Sequence, residues 1–313
     1  RKRGFCIVST KKTLPHTSFS FARLRKSYLV LSACLVLGVC LILSACGKKN
    51  RYQDQFMDVF DTVSLVIGYE GNEGDFQKNF KAVHKRLQEL HQLFDVYDDY
   101  PGVQNLKYVN ENAGTAPVKV DPEIMALLKF GKEIYEKTDG EVNIAYGAVL
   151  RIWHDYREAG IANPENASLP EETALLEASK HCNIEDLILD EANSTVYFQD
   201  PELRLDVGGI AKGWSVERAT ELLEQAGAKH YLLNIGGNLR AIGKRGDGKR
   251  WVCPVENPFY VDGQDTEQFA VAGEIEDTSL VTSGDYERFY VVNGKRYAHI
   301  VDPRTRMPAD CHR

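Results

Sequence analysis

The spacing of apolar residues predicts two long helices early in the chain. Phe76 is followed at +4, +7, +11, +14 and +18 by Phe80, Val83, Leu87, Leu90 and Phe94. This period places all of them on one face of a helix. A second helix is predicted to begin at Asp121-Pro122, because an aspartate side chain caps free N–H groups and proline fits a first turn. Its buried side is expected to consist of Ile124, Leu127, Leu128 and Ile134.

Shorter runs rich in β-branched and aromatic residues, bounded by turn residues, predict strands. They cover residues 59–69, 195–198, 203–207, 231–235, 239–242, 251–255, 268–272, 289–292 and 297–301. A third helix is predicted after Gly213. Helices and strands do not alternate regularly, which favours an α+β fold with mixed sheets flanked by helices over a doubly wound sheet. We expect a single domain over residues 57–313.

The first 45 residues differ in character from the rest. They carry eight of the 38 Lys and Arg residues and no acid, leaving 30 basic against 45 acidic residues, or −15, in the remainder. Such an acidic body argues against nucleic-acid binding, which needs a basic surface. Seven cysteines occur, and the spacing of Cys182, Cys253 and Cys311 neither requires a disulfide nor suggests a metal site.

Basic residues, an apolar run over residues 28–43 and small residues ending on Cys46 are typical of an exported lipoprotein. We therefore expect a leader and signal peptide over residues 1–45, lipid attachment at Cys46 and a polar, lipid-anchored tether over residues 46–56. The protein would then be held on the extracytoplasmic face of the cell membrane. An uncleaved membrane anchor is the alternative, although 16 apolar residues are fewer than the roughly 20 that span a bilayer.

The segment from Leu205 to Gly213 reads as an apolar strand, a glycine turn and the start of a helix. Free backbone N–H groups in such a turn can hold phosphate oxygens, but the glycines could equally serve only turn geometry and close packing. The P-loop pattern is absent because Trp214-Ser215 follows the last glycine where that motif needs Lys and Ser or Thr.

A second polar segment lies near the end of the chain. It contains Ser283, Asp285, His299, Asp302 and Arg304. His299 could be a general base or a hydrogen-bonded structural residue, and Ser283 to Asp285 could be only a polar turn. The patterns G-x-S-x-G and H-E-x-x-H are absent, so a serine hydrolase of that type and a zinc protease are not indicated.

Together these segments resemble the ApbE family, the FAD:protein FMN transferases, from about Phe56 to Asp310. The motifs that carry the resemblance are Phe60-Asp61-Thr62-Val63-Ser64, Tyr97-Asp98, Gly140 to Ala145, Asp206 to Gly213, Asn234 to Gly237, Thr282 to Tyr286 and His299 to Thr305. The resemblance implies an enzyme that moves FMN from FAD to a Thr or Ser hydroxyl of a target protein, with Mg²⁺, and releases AMP.

The resemblance also implies residue roles. His299 matches the catalytic histidine, and the backbone carbonyl of Ala211 matches a Mg²⁺ ligand. Contacts with the flavin nucleotide are implied for Phe60, Tyr97, Asn143, Ile144, Ala145, Asp206, Gly208, Gly209, Trp214, Ser283, Asp285 and Val301. The remaining metal ligands, an Asp and a Thr, are expected beyond Arg313, so residues 46–313 alone are expected to be weakly active or inactive and to have reduced stability.

Other functions stay open at the level of sequence. One is hydrolysis of FAD to FMN and AMP at the same site, and another is a flavin-binding lipoprotein without transfer activity. A solute-binding lipoprotein of an importer would need two lobes, which the single-domain prediction disfavours. The expected protein partner is an extracytoplasmic electron-transfer flavoprotein with an acceptor Thr or Ser.

Overall fold

The computed structural model describes residues 49–257, 259–260, 267–284 and 288–309. Cys46, the predicted signal peptide and Asp285 lie outside the described residues. Within the described ranges, no helix combines the length and the apolar character needed to cross a membrane.

The strands in chain order are β1 (Asn50–Val59), β2 (Thr62–Glu70), β3 (Val118–Lys119), β4 (Leu187–Asp190), β5 (Thr195–Phe198), β6 (Tyr231–Ile235), β7 (Asn238–Ile242), β8 (Trp251–Glu256), β9 (Phe269–Ile275), β10 (Ser279–Val281), β11 (Phe289–Val292) and β12 (Lys295–Ala298). The α-helices are α1 (Glu73–Phe94), α2 (Leu106–Asn112), α3 (Pro122–Lys137), α4 (Gly147–Ala162), α5 (Glu172–Ala178) and α6 (Gly208–Gln225). Short 3₁₀ turns occupy Pro164–Asn166, Ser179–His181 and Ile184–Asp186.

A five-stranded antiparallel sheet in the order β1-β2-β6-β7-β10 forms the centre of the fold. Neighbouring residues of a strand point to opposite faces, so Val66 and Ile67 of β2 enter different cores. Helices α1 and α6 cover the face that carries Val66, and the β8–β9 ribbon covers the face that carries Ile67. The described residues therefore form helical, sheet and ribbon layers, and the α+β prediction is confirmed.

A second apolar core supports the segment before α6. It is built by α2, α3 and the small sheet β3-β5-β4, and it includes Ile144, Leu205, Val207 and Ala211. Two smaller antiparallel ribbons, β8-β9 and β11-β12, complete the described strands. The β11–β12 ribbon packs on α4 through Tyr290 and Val292.

Local sequence signals account for the two best-predicted helices. All six apolar residues predicted for the first helix, Phe76, Phe80, Val83, Leu87, Leu90 and Phe94, are buried in α1. Asp121 caps α3 by accepting a hydrogen bond from the Glu123 amide at 2.8 Å, and Pro122 is the first residue of this helix. The face of α1 and the start of α3 are confirmed, but Ile134, predicted on the buried side of α3, is only partly buried.

The predicted tether is wrong for residues 50–56. These residues form most of β1, which pairs with β2 from Asn50↔Glu70 to Phe56↔Ser64. Their side chains are largely polar, but backbone pairing with an apolar neighbouring strand orders them, and Phe56 enters the core. The predicted strand over residues 59–69 is also interrupted, because Phe60 and Asp61 form the turn between β1 and β2.

The glycine segment differs from its prediction. Residues 203–207 make only one bridge, between Arg204 and Tyr146, and α6 already begins at Gly208. The glycines therefore lie in the first turns of the helix rather than before it. The predicted strand over residues 297–301 ends at Ala298, and Val301 makes a separate bridge with Pro308.

Candidate active site

The start of α6 presents an unpaired backbone amide. The Asp206 carboxylate accepts the Gly208 amide at 2.8 Å, and the Val207 carbonyl accepts the amides of Ile210 and Ala211. Among the described residues, nothing accepts the amide of Gly209, and a β-carbon placed on Gly209 would meet open space. A free N–H at the positive end of a helix is suited to bind an anion such as a phosphate group.

Tyr97 lies beside this helix start. Its hydroxyl donates to the Asp206 carboxylate at 3.4 Å, and its ring stacks on His154 with centroids 4.0 Å apart. The Arg151 guanidinium lies 5.3 Å from the ring centroid. Burial, with the nearby Asp206 charge, raises the pKa of Tyr97 far above its ordinary value. Tyr97 is therefore a neutral hydrogen-bond donor, and the structure brings this predicted site residue together with Asp206.

Residues 143–145 join the same region through the backbone. The Ile144 carbonyl accepts the amide of Asp206 at 2.9 Å. The Asn143 side chain is occupied within the fold, since it donates to the Cys182 carbonyl and accepts the Ala145 amide. The side chains of Ile144 and Ala145 are buried in the second core, which leaves only their backbone atoms for a ligand.

The Phe60-Asp61 turn is held in an unusual conformation. Both residues have positive φ, 54° and 50°, a region that residues other than glycine, asparagine and aspartate rarely adopt. The Phe60 amide donates to His91 Nδ1 at 3.4 Å, and its ring meets the His91 ring edge-on with centroids 5.3 Å apart. Phe60, predicted as a flavin contact, thus lies on a turn that its neighbours hold in place.

His299 follows β12 and is fixed by one carbonyl. Its backbone amide and its Nδ1 lie 3.1 Å and 3.2 Å from the Arg288 carbonyl oxygen. Because a carbonyl only accepts, Nδ1 carries the proton and the neutral ring keeps Nε2 free to accept one. Burial lowers the pKa of His299, and the charges of Arg288, Arg157 and Lys212 lower it further. This arrangement is suited to a general base near neutral pH.

Three cationic residues near His299 were not assigned roles from the sequence. Lys212 belongs to the glycine segment quoted above, whereas Arg157 lies on α4 and Arg288 precedes β11. Arg157 and Arg288 stand in no motif that would have revealed them. Burial lowers the pKa of Lys212, and the neighbouring Arg288 charge adds to this effect.

Three further predicted flavin contacts are Trp214, Ser283 and Val301, and their described contacts are not with Tyr97 or His299. Trp214 borders a groove of about 520 Å³ between α3 and α6, where it contacts Phe130 and Arg218. None of its described ring contacts is with Tyr97 or His299. Val301 packs against the α4 side of the molecule, and no described polar contact links Ser283 to another predicted site residue.

The described residues supply at most one of the expected metal ligands. The Ala211 carbonyl accepts the Ser215 hydroxyl at 2.7 Å. In the part of the chain that the structure describes, no group of three or more His, Cys, Asp or Glu residues could hold a metal ion.

Comparison with known proteins places this geometry in a family. The ApbE family model matches residues 57–312. An FAD:protein FMN transferase of Treponema pallidum (strain Nichols) is 31% identical over 283 residues, covering 85% of this chain and 74% of the relative. One of Klebsiella pneumoniae (strain 342) is 31% identical over 223 residues, covering 70% of this chain but only 65% of the relative, just under two thirds of its length.

Solved structures agree in fold. The crystal structure of the ApbE protein from Thermotoga maritima superposes with a TM-score of 0.70 at 27% identity, covering 83% of this chain and 79% of that one. The flavin transferase ApbE from Vibrio cholerae gives a TM-score of 0.65 at 24% identity, covering 84% and 79%, which shows likeness of fold. With a family match over most of its length and relatives at 31% identity, the chain belongs to the ApbE family.

Proposed function

We propose that this chain transfers FMN from FAD to a Thr or Ser hydroxyl of a target protein and releases AMP. The observation that carries the proposal is the state of His299, a partly buried neutral imidazole whose Nδ1 donates to the Arg288 carbonyl and whose Nε2 can accept a proton. The proposal is also supported by the names of the relatives, which are FAD:protein FMN transferases.

The proposed step is a substitution at phosphorus. The acceptor hydroxyl loses its proton to His299 Nε2, and its oxygen forms a bond to the phosphorus of the FMN half of FAD. The bond from that phosphorus to the bridging oxygen breaks, and AMP leaves with the bridging oxygen and its electron pair. The free Gly209 amide and the positive charge of Lys212 are suited to stabilise the negative charge on the phosphate oxygens.

We propose that turnover also requires Mg²⁺, on the basis of the resemblance described above. A bound divalent cation would neutralise part of the pyrophosphate charge. The Ala211 carbonyl is the single ligand expected among the described residues, and no step above depends on the ion. Addition of EDTA to the full-length protein is expected to stop AMP release, and added Mg²⁺ should restore it. Undiminished release in EDTA would contradict the requirement.

The transfer proposal is tested by replacing His299. His299→Ala is expected to lower both AMP release and covalent flavin attachment by roughly 10²- to 10⁴-fold, the range for loss of a general base. His230→Ala is a matched control, because His230 Nδ1 likewise donates to a backbone carbonyl, that of Lys244 at 2.7 Å. The assay supplies FAD, Mg²⁺ and a Thr-bearing target protein, and follows AMP together with in-gel flavin fluorescence after denaturation.

The same assay separates the alternatives. AMP release without covalent flavin would favour FAD hydrolysis, and FAD binding without AMP release would favour a flavin carrier. Parent-level transfer by His299→Ala would refute the role of His299 as base.

We further propose that the protein is a lipoprotein attached through Cys46 on the extracytoplasmic face of the membrane, where its target would be an electron-transfer flavoprotein. The support is the signal-like pattern of the first 46 residues. Cells expressing the full chain should incorporate labelled palmitate into the protein and hold it in the membrane fraction, and Cys46→Ala should remove the label. Equal labelling of both forms would contradict attachment at Cys46.

A further inference from the structure

Arg288 contacts two parts of the candidate site that are far apart in sequence. Its guanidinium Nη2 donates to the Phe60 carbonyl at 2.9 Å and to the Asp61 carbonyl at 3.3 Å. Its own carbonyl accepts from the amide and the Nδ1 of His299. A single residue therefore bonds both to the turn that carries a predicted flavin contact and to the predicted base.

The backbone of the Phe60-Asp61 turn, which Arg288 contacts, is conformationally strained. Phe60 and Asp61 both have left-handed backbone conformations, which persist in a folded protein only when the surroundings favour them. His91 accepts the Phe60 amide, and Arg288 donates to the carbonyls of both turn residues. Loss of the guanidinium would remove the two contacts on the carbonyl side of the turn and leave the His91 contact.

The charge of Arg288 acts on the base as well. Among the described residues, the charges of Arg288, of Arg157 on α4 and of Lys212 on α6 act on His299, and all three disfavour its protonated form. The hydrogen bond to the Arg288 carbonyl acts in the opposite direction. Substitution of the Arg288 side chain removes the charge but keeps the carbonyl, so the two effects can be separated.

We propose that Arg288 is a positioning residue that couples the Phe60-Asp61 turn to His299. The role of Arg288 in catalysis rests on the proposed function, whereas its contacts do not. In the structure, this one arginine contacts both the Phe60-Asp61 turn and His299, and so holds them in a single arrangement. Arg288 is half-exposed and lies within reach of both segments, so its substitution removes these contacts without opening a core.

The kinetic test compares Arg288→Gln with Arg288→Lys. Arg288→Gln is expected to raise the KM for FAD about tenfold, because charge-assisted bonds to the turn are lost. It should also move the acid limb of the kcat/KM profile to higher pH, since removal of a nearby positive charge raises the pKa of His299. Arg288→Lys keeps the charge, so its acid limb should stay near that of the parent while KM rises.

Arg204→Gln is the matched control, because Arg204 Nη1 also donates to two backbone carbonyls, those of Pro201 and Leu203. It is expected to leave both KM and the acid limb near the parent values. A purely structural role for Arg288 would lower activity evenly at all pH values and would not move the acid limb. KM and an acid limb in Arg288→Gln equal to those of Arg204→Gln would overturn the proposal.

A second measurement does not depend on turnover. The pKa of His299 can be followed by NMR of histidine-labelled protein without FAD, with His299→Ala used to assign the resonance. It should rise in Arg288→Gln and remain near the parent value in Arg288→Lys and Arg204→Gln. An unchanged value in Arg288→Gln would contradict the electrostatic coupling. If Arg288→Gln showed this rise while the parent protein carried out no FMN transfer, the proposed function alone would be contradicted.

Discussion

At the scale of single residues, the candidate site depends on how hydrogen bonds select protonation states. His299 donates from Nδ1 because its partner is a carbonyl, which leaves Nε2 as the acceptor. Tyr97 stays neutral because it is partly buried next to the Asp206 carboxylate, which raises its pKa. His299 can thus accept a proton and Tyr97 can donate a hydrogen bond.

The lowered pKa of His299 predicts the pH dependence of the reaction. Burial and the charges of Arg288, Arg157 and Lys212 favour the neutral ring, so the base loses its function only when the pH falls below the ordinary histidine value of about 6.5. The acid limb of kcat/KM is therefore expected below pH 6.5. Measurement of initial rates between pH 5 and 8 at subsaturating FAD checks this, and an acid limb clearly above 6.5 would contradict it.

At the scale of elements, the first two turns of α6 carry glycines that local structure does not require. Gly209 and Gly213 both lie inside the helix, and neither has a positive φ. A β-carbon at Gly209 would meet open space, and one at Gly213 would lie 3.7 Å from the Asn238 side chain, an ordinary contact. The helix would tolerate alanine at either position, so we expect Gly209, whose amide is free, to be the glycine that a ligand approaches closely.

Gly209→Ala is expected to change stability and FAD affinity in opposite directions. Alanine favours the helix by up to about 1 kcal/mol, so the free energy of unfolding should stay the same or rise. The new methyl group would stand beside the free amide and weaken FAD binding. Gly213→Ala is the control in the same helix and should gain similar stability with unchanged affinity. Urea unfolding and FAD titration measure the two quantities, and unchanged FAD affinity in Gly209→Ala would argue against a phosphate contact there.

At the scale of the whole molecule, the apolar core around Ile144 and Leu205 holds the candidate site in place. This core joins α2, α3, the small sheet and the start of α6, including Ala211. The central sheet meets it through Phe60, which packs against both this core and the one beneath α1. The stability of this core should therefore limit the stability of the site.

Leu128→Ala tests how much that core contributes to the free energy of unfolding. Leu128 is fully buried in α3, so its truncation is expected to lower the free energy of unfolding by about 2–5 kcal/mol. Leu176→Ala makes the same chemical change on α5, where the side chain is 49% exposed, and should cost no more than about 0.5 kcal/mol. Urea denaturation of both variants measures the difference. Equal losses would mean that burial does not govern stability at these positions.

Some features could be predicted from the sequence because they depend on neighbours within a few turns. The apolar period of α1, the Asp121 cap of α3, the α+β class and the family motifs are of this kind. The errors arose where local patterns are ambiguous. The polar residues of β1 resembled a tether because their order comes from pairing with β2, and the glycines of α6 resembled a turn because glycine is compatible with both structures.

The sequence by itself determined the family, the class of fold, the helices α1 and α3 and the identity of His299 as the candidate base. Only the tertiary structure decided which nitrogen of His299 is free, which cations surround it and how the Phe60-Asp61 turn is held. Arg288 and Phe60 are 228 positions apart, yet their contact helps to define the site. Contacts of this kind follow from the packing of whole elements. They cannot be predicted from the local spacing of apolar residues, because that spacing reports only on neighbours in the chain.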